Sequence, residues 1–377
     1  MHEGQTMSGI TLLNGKNYDF VVEKKETVKA QKLDTTSKKR EKQTLFFRNY
    51  PTIISNSSVV ASREGKGPIG NFFDEIIDNT KLDKKCFEKS EIRMMEHSIN
   101  IALKKSALTL DDIDIFLAGD LLNQITTSSF VARKLSLPFL GLYSACSTFT
   151  ESLALGAMMV DSGFCENVLC STSSHFATAE RQYRFPLEFG NQRPPYAQWT
   201  VTGSGSTILS SKFSGNSNEK ICVTSATIGS VVDFGIKDIS NMGAAMAPSA
   251  LSTLINLFKN TNTIPSDYDL IVTGDLGKLG SDILRQLMSE QGYDLGQNYT
   301  DCGNLIYNVK QKCYQGGSGA GCSAAVFNSF LMQKIKSGEY KKIILAATGA
   351  LMSSQTSFQG ESIPSICHAV VVESIGN

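Results

Sequence analysis

The residues of this chain that could carry covalent chemistry begin with one cysteine. Cys146 stands in the stretch YSACSTFTES (143–152), where an apolar segment gives way to a pattern typical of a helix. The unpaired amides of a first helical turn favour a thiolate and can lower a cysteine pKa below its usual value of roughly 8.5. The same amides stabilise oxyanions and bind carboxylates. A nucleophile or anion site is therefore one interpretation, and a buried structural cysteine is the other.

The elements that would position Cys146 are alternating strands and helices. The segment 112–124, DIDIFLAGDLLNQ, is an almost unbroken apolar run ending near Gly-Asp, as buried parallel strands do. The pattern then predicts a helix over 128–137, a strand over 138–142, a helix over 147–162 and a strand over 168–172. This order indicates an α/β fold in which Cys146 lies where a strand passes into a helix.

The second half of the chain repeats the plan of the first. DIDIFLAGDL (112–121) matches DYDLIVTGDL (267–276), with aspartates at positions one, three and nine of both segments. SGFCENVLCSTS (162–173) matches SGEYKKIILAAT (337–348), and the Cys-Ser of SACS (144–147) matches that of AGCS (320–323). A duplicated strand–helix unit explains these matches. We predict two similar halves, 44–215 and 216–377, joined through the polar stretch 212–219.

Composition argues against several functional classes. The 36 Lys and Arg residues balance 36 Asp and Glu, so the overall charge would not attract nucleic acid. The nine cysteines form no C-x-x-C pair and share no metal-ligand spacing with the four histidines, which indicates reduced thiols and no structural zinc. We find no apolar run of membrane-spanning length and no signal peptide, so we expect neither a transmembrane helix nor secretion.

The N-terminal extension, 1–43, differs from the rest of the chain in charge composition and in apolar periodicity. Val22–Lys42 carries eight basic against four acidic residues and almost no apolar periodicity. A solvated, mobile extension is one interpretation. An electrostatic tether to an anionic membrane surface or to a partner is the other.

The duplicated plan and the Ala-Cys-Ser turn together resemble the thiolase superfamily, including ketoacyl synthase III-like condensing enzymes, over roughly residues 45–375. The resemblance implies a layered αβαβα fold with Cys146 at the position of the catalytic nucleophile. It also implies a His after a strand of the second half and an Asn in a later Gly-Asn turn. This sequence has Asp275 in VTGDLG (272–277) and Gly317, with no Asn, in QGGSGAGCSA (315–324). A cysteine without such helpers is a poor acyl-transfer catalyst, so we expect a catalytically degenerate member.

A narrower resemblance rests on phrases spread over most of the chain. In order, they are FLAGDLLNQ, ACST, TSSHFATAERQYRFP, VTGSG, MGAAMAP, TGDLG, GGSG and ESIP–CHAVVVE. Together they resemble the stage V sporulation protein AD family of spore-forming Firmicutes. The resemblance implies a sporulation protein, relevant to germination, that binds dipicolinic acid (pyridine-2,6-dicarboxylate) or its calcium chelate and assists its uptake into the developing spore. It implies no other cofactor.

The same resemblance carries expectations about location and partners. It implies a peripheral protein on the cytoplasmic side of the forespore inner membrane, beside the membrane proteins of the same stage V sporulation A operon. It also implies a homodimer in which a loop covers the neighbouring site. The Pro- and Gly-rich segment 185–198 is our candidate for that loop.

A pocket for a planar aromatic dianion needs donors for two carboxylates and an apolar slot for the ring. The residues that we assign to it are Asp120, Cys146, Ser147, His175, Arg181, Asp275, Ser318 and His368. The helix front at Cys146 would supply amides, and Arg181 would supply a bidentate fork. The glycines of 316–323 would let backbone amides approach the ligand closely.

Each assignment has a structural alternative. His175 could cap the end of a strand, and Arg181 could pair with a nearby acid on the surface. Asp120 and Asp275 could bond to their own turns, and His368 could be a satisfied core histidine.

Two further functions stay open beside dipicolinate binding. One is an acyl-transfer enzyme with Cys146 as nucleophile and His368 or His175 as an unorthodox base. The other is a scaffold that organises membrane partners and binds no small molecule.

Overall fold

The fold is seen in a computed structural model that describes residues 40–41, 43–78, 86–183, 193–212 and 219–376. Most of the basic extension lies outside the described residues, as do the first eight positions of the candidate loop 185–198 and most of the predicted connection 212–219. Among the described residues, no helix combines the length and the apolar character that crossing a bilayer requires.

The described part of the chain alternates short and long elements. The strands are β1 (Arg40–Glu41), β2 (Thr44–Phe46), β3 (Thr52–Ala61), β4 (Glu75–Ile77), β5 (Ile115–Gly119), β6 (Phe139–Gly141), β7 (Asn167–Ser174), β8 (Trp199–Thr200), β9 (Gly203–Ser210), β10 (Glu219–Thr227), β11 (Leu270–Thr273), β12 (Tyr299–Asp301), β13 (Gly317–Ser318), β14 (Lys342–Ala350) and β15 (Ser365–Gly376). The helices are α1 (Ser62–Gly65), α2 (Phe87–Ser106), α3 (Thr126–Leu135), α4 (Thr148–Ser162), α5 (Phe176–Tyr183), α6 (Met242–Thr261), α7 (Gly277–Glu290), α8 (Cys302–Ile306), α9 (Ala320–Val326), α10 (Met332–Lys336) and α11 (Ser354–Phe358). A π-helical segment, Phe327–Leu331, joins α9 to α10.

The strand order repeats between the two halves. The first half has the order β6-β5-β7-β9-β3, and the second has β12-β11-β14-β15-β10. In each half the first three strands are parallel and the last two are antiparallel to their neighbours. The halves meet where β3 pairs with β10 at Thr52 and Cys222. The predicted duplication of strand–helix units is therefore present in the fold.

The core is layered because neighbouring residues of each strand point to opposite faces of the sheet. In β5, Phe116 packs with α2 and α3, whereas Leu117 packs toward the central helix α4. In β11, Ile271 packs with α6 and α7, whereas Val272 joins the same central cluster as Leu117. Outer helices therefore cover the sheet in both halves, and α4 and α9 lie between the two halves of the sheet, which confirms the predicted αβαβα thiolase-like fold.

Two of the three duplicated aspartates keep one role in both halves. Asp114 accepts hydrogen bonds from the two amides that open β7, and Asp269 accepts the equivalent pair at the start of β14. Asp112 and Asp267 each cap the turn before their strand. These pairs hold neighbouring parallel strands in register, so duplication preserved them for structural reasons.

The predicted match between SACS and AGCS is wrong by about one helical turn. Cys146 and Ser147 precede α4, but Cys322 lies inside α9. The residue in front of α9 is Gly319, and Ser318 precedes it. Ser318 is therefore the positional counterpart of Cys146. Repeated small residues on both sides of a helix start make such a slip easy in a sequence comparison.

Candidate functional site

Cys146 lies in a tight turn between β6 and α4. The turn is a single 3-10 turn, Ala145–Ser147, and Ala145 has the left-handed φ of 52°. Non-glycine residues seldom adopt this conformation, so the surrounding structure must hold it. Strand β14 does so at Gly349, where an added Cβ would lie 2.1 Å from the carbonyl oxygen of Ser144. The turn thus places the thiol at the N-terminal end of α4, next to the second half of the molecule.

Asp275 is the centre of the polar network around this thiol. It follows β11 and is buried, and its Oδ2 accepts from the hydroxyl of Ser318 and the amide of Gly319, both at 3.0 Å. Its Oδ1 accepts from the hydroxyl of Thr348 at 3.0 Å. The thiol of Cys146 lies beside this carboxyl group, and each group shifts the pKa of the other. One acid therefore links groups from both halves of the molecule.

The expectation that the helix front favours a Cys146 thiolate is wrong. Burial raises the pKa of the Cys146 thiol well above its usual value, and the neighbouring Asp275 carboxyl raises it further. The amide of Gly319 and the hydroxyl of Ser318 act in the opposite direction but are outweighed. A low dielectric and a nearby negative charge both disfavour a second anion, so the thiol is protonated at neutral pH.

A cleft opens directly beside Cys146, and we call it the Cys146 cleft. It has a cavity volume of about 50 Å³ and is mostly apolar. Its lining residues are Leu121, Ala145, Cys146, Ala179, Glu180, Tyr183, Thr200, Met242, Met246, Ser318, Ala350 and Met352. Cys146, Glu180, Thr200 and Ser318 supply polar atoms that we call its polar end. Among the described residues, no three His, Cys, Asp or Glu side chains come together as metal ligands would.

Glu180 is the one ionisable carboxyl among the lining residues, and it forms an ion pair with Arg193, which does not line the cleft. An Nη2 atom of Arg193 lies 2.6 Å from Oε1 of Glu180, which also accepts from the Thr200 hydroxyl at 3.1 Å. The Arg193 guanidinium lies over the rings of Phe176 and Trp199, at 5.1 Å and 4.7 Å from their centroids. The stacked rings hold the guanidinium in place, so the wall carries a neutralised ion pair.

The structure brings Cys146, Asp275 and Ser318 together, as the sequence analysis expected. Asp120, the duplicate of Asp275, does not line the cleft, because its carboxylate accepts from the amides of Leu122 and Ser128 and from the Ser128 hydroxyl. In the second half the equivalent hydrogen bonds are made by Asp301, whose carboxylate accepts from the amides of Leu276 and Gly277 in the loop after β11. Asp275 therefore does not cap this loop, and its side chain faces Cys146.

The remaining candidates have partners elsewhere. Ser147 is buried and donates to the carbonyl of Ser144. Nδ1 of His175 accepts from the Ala177 amide at 3.1 Å, and Nδ1 of His368 accepts from the Gly229 amide at 3.3 Å.

Both histidines are neutral, and the candidate arginine is paired. Burial lowers the pKa of His175 and of His368 to about 4. Arg181 forms a surface ion pair with Glu88, whereas the structural alternative names Glu180 and Glu188 as surface partners. None of these three side chains lines the Cys146 cleft.

The sequence analysis missed most of the apolar walls and the ion pair behind them. Met242 and Met246 are four residues apart in MGAAMAP, so they share one helix face and could have been found by spacing. Ala179, Glu180 and Tyr183 also follow helical spacing within α5. Nothing local pointed to Arg193, because its partner is on another element.

Comparison with solved structures identifies the architecture. The 3-oxoacyl-[acyl-carrier-protein] synthase III of Aquifex aeolicus VF5 is 13% identical with a TM-score of 0.51, covering 86% of this chain and 99% of that one. Xanthomonas campestris OleA with bound lauric acid and lauroyl-CoA is 11% identical with a TM-score of 0.54, covering 86% of this chain and 99% of that one. At these identities the likeness shows the thiolase-like fold.

Comparison of sequences identifies the family. The stage V sporulation protein AD of Bacillus subtilis (strain 168) is 44% identical over 335 residues, which cover 89% of this chain and 98% of that protein. The stage V sporulation protein AD family matches residues 41–373. This chain therefore belongs to the stage V sporulation protein AD family, whose members act in sporulation.

Proposed function

We propose that this protein binds dipicolinic acid, free or as its calcium chelate, in the Cys146 cleft and assists its uptake into the developing spore. The observation that carries the proposal is the lining of the cleft, in which apolar walls close on one small polar end. Small-molecule sites have this balance of apolar and polar lining. A flat pyridine ring with carboxyl groups at its edge matches that division.

The walls suit an aromatic ring. Met242 and Met246 approach from α6, and Ala179 approaches from α5. Methionine sulfur and methyl groups pack favourably against ring faces and adapt to their shape. Thr200 and Ser318 supply polar atoms to the same cleft, and in this proposal they face the carboxyl groups of the ligand.

The same geometry leads us to propose that the protein does not catalyse acyl transfer. A nucleophilic cysteine needs neighbours that lower its pKa, and here burial and Asp275 raise it. His175 and His368 each have one ring nitrogen engaged by a backbone amide, and their low pKa values leave them neutral. Among the described residues, neither histidine lines the cleft that holds the thiol.

We further propose a homodimer formed along the free edge of β6. This strand ends the sheet, and Leu140 within it is 42% exposed. Phe130 and Tyr143, on the neighbouring segments, are 46% and 44% exposed. An exposed apolar edge strand readily pairs with a second copy. Light scattering of the wild type and of Leu140→Lys tests this: a wild-type monomer would contradict it.

The proposed setting is the forespore inner membrane, with the operon's membrane proteins as partners. Co-purification of these proteins with a tagged full-length chain from sporulating cells is expected. If these proteins do not co-purify, the proposed location at the membrane is contradicted, and the proposed binding of dipicolinate is unaffected.

Calorimetric titration of dipicolinate into the full-length protein, with and without calcium, tests the binding proposal. We expect saturable binding that benzoate, with its single carboxylate, does not displace. Ala350→Leu fills the cleft and should abolish binding, whereas Ala350→Ser at the same position keeps the space and should retain it. No heat with either form of the ligand would sink the proposal, and an acyl adduct on Cys146 after incubation with an acyl-CoA would favour the enzyme.

A further inference from the structure

The polar end of the Cys146 cleft has its donors already committed. The hydroxyl of Ser318 donates to Asp275, and the hydroxyl of Thr200 donates to Glu180. A hydroxyl has one proton and two lone pairs, so a group that donates inward presents only lone pairs outward. The polar end therefore offers acceptors to whatever occupies the cleft.

The charges at the polar end have the same sign as those of a dicarboxylate. Glu180 is compensated by Arg193, but Asp275 has only neutral donors as partners. In the described part of the chain, Asp275 raises the pKa of Cys146, Asp301, Cys302, Cys322 and Cys367. None of them is a cation. A free dianion would therefore meet like charge and filled acceptors.

We propose that the polar end takes up one proton, on Asp275, when free dipicolinate binds, and none when the calcium chelate binds. This inference rests on the proposed function. A proton from solution that binds a carboxylate oxygen of Asp275 removes its negative charge. The Ser318 hydroxyl and the Cys146 thiol can then turn their protons toward the ligand. The chelate carries its own cation, so lone pairs can face it without any proton.

The surroundings of the two acids favour Asp275 as the site that accepts the proton. Glu180 forms a buried ion pair with a guanidinium at 2.6 Å, and breaking such a pair is costly. Asp275 is buried, and burial raises its pKa although Gly319, Ser318 and Thr348 donate to it. Beside a bound dianion, the protonated form of Asp275 is therefore more stable than its deprotonated form.

Calorimetry in three buffers of different ionisation enthalpy at one pH measures this proton directly. For the full-length protein we expect uptake of about one proton per free dipicolinate bound, with a calcium chelator present. We expect uptake near zero for the preformed chelate. Affinity for the free form should fall about tenfold per unit of rising pH, while affinity for the chelate stays flat.

Asp275→Asn keeps the size of the side chain and removes the site for the proton. Proton uptake with free dipicolinate should then disappear, and the pH dependence of its affinity with it. Asp111→Asn, at an exposed position, should behave like the wild type. If Asp275→Asn does not fold, the wild-type buffer series alone decides.

The outcomes separate this inference from the proposed function. Binding of free dipicolinate with no proton uptake overturns the inference and leaves the function standing. Equal proton uptake with the chelate also overturns it. Failure of both ligand forms to bind rejects the function itself.

Discussion

Ser318 precedes α9 at the position that Cys146 occupies before α4; its hydroxyl donates to the carboxyl group of Asp275, and the same carboxyl group raises the pKa of the Cys146 thiol. The two halves of the molecule thus meet on one buried acid. This acid raises the pKa of the Cys146 thiol beyond the effect of burial. This relationship leads to the first prediction.

The Cys146 thiol should react slowly with iodoacetamide near pH 8, since its pKa lies well above the usual value. Asp275→Asn removes a carboxyl group that raises the thiol pKa and should therefore raise the rate. Peptide mass spectrometry follows each cysteine separately. The rate at Cys165, which lies near Asp114, should not change. A fast wild-type Cys146 would contradict the assigned protonation state.

Two arginines of one region should differ sharply in their effect on stability. Arg193→Met leaves the buried Glu180 carboxylate without its cation, and breaking such a pair costs about 3 kcal/mol or more of unfolding free energy. Arg181→Met breaks an exposed pair with Glu88, which solvent screens to within about 1 kcal/mol. Urea denaturation measures both. Equal losses of unfolding free energy in the two variants would contradict the role given to the buried Glu180–Arg193 ion pair.

Stability should fall as the pH rises through neutrality, with Glu64 as one cause. Burial raises the pKa of Glu64 to about 7, although the Thr202 amide and the Tyr307 hydroxyl donate to it. Its folded pKa exceeds the unfolded value of 4.5, so the folded state binds more protons between these limits. The stabilisation is complete below about pH 4.5 and is lost as the pH rises through about 7.

The change between pH 5.5 and 8 that comes from Glu64 should be about 2 kcal/mol. Burial also raises the pKa of Asp301 to about 7 and that of Glu91 to about 8, in the same direction. Glu64→Gln should reduce the pH dependence of urea denaturation, whereas Glu361→Gln, at an exposed position, should leave it intact. An undiminished slope in Glu64→Gln would remove Glu64 from this account.

The turn that carries Cys146 should become more stable when Ala145 is replaced by glycine. Ala145 has a φ of 52°, and a left-handed conformation costs an alanine about 1 kcal/mol that glycine avoids. Ala145→Gly should therefore stabilise the protein by up to about 1 kcal/mol. Ala154→Gly, inside α4, should destabilise it by about 1 kcal/mol through the lower helix propensity of glycine. Thermal unfolding of the two variants provides the comparison, and a loss in both would contradict the strain.

The architecture could be predicted from the sequence because its signals are local and duplicated. Apolar runs that end in Gly-Asp marked β5 and β11, and repeated aspartates such as Asp114 and Asp269 revealed the two halves. Cys146 at the front of a helix was also foreseeable, because a strand-to-helix transition needs only neighbouring residues. These features depend on periodicity and spacing, which a sequence displays directly.

The character of the site was decided by tertiary structure alone. Asp120 and Asp275 occupy duplicated positions, yet one caps its own loop and the other faces Cys146 because Asp301 has taken over the capping. The Glu180–Arg193 pair likewise joins separate elements. By itself, the sequence determined the duplicated layers and the place of the thiol. The sign of the thiol pKa shift was not encoded locally, because burial and nearby charge arise only when distant segments pack together.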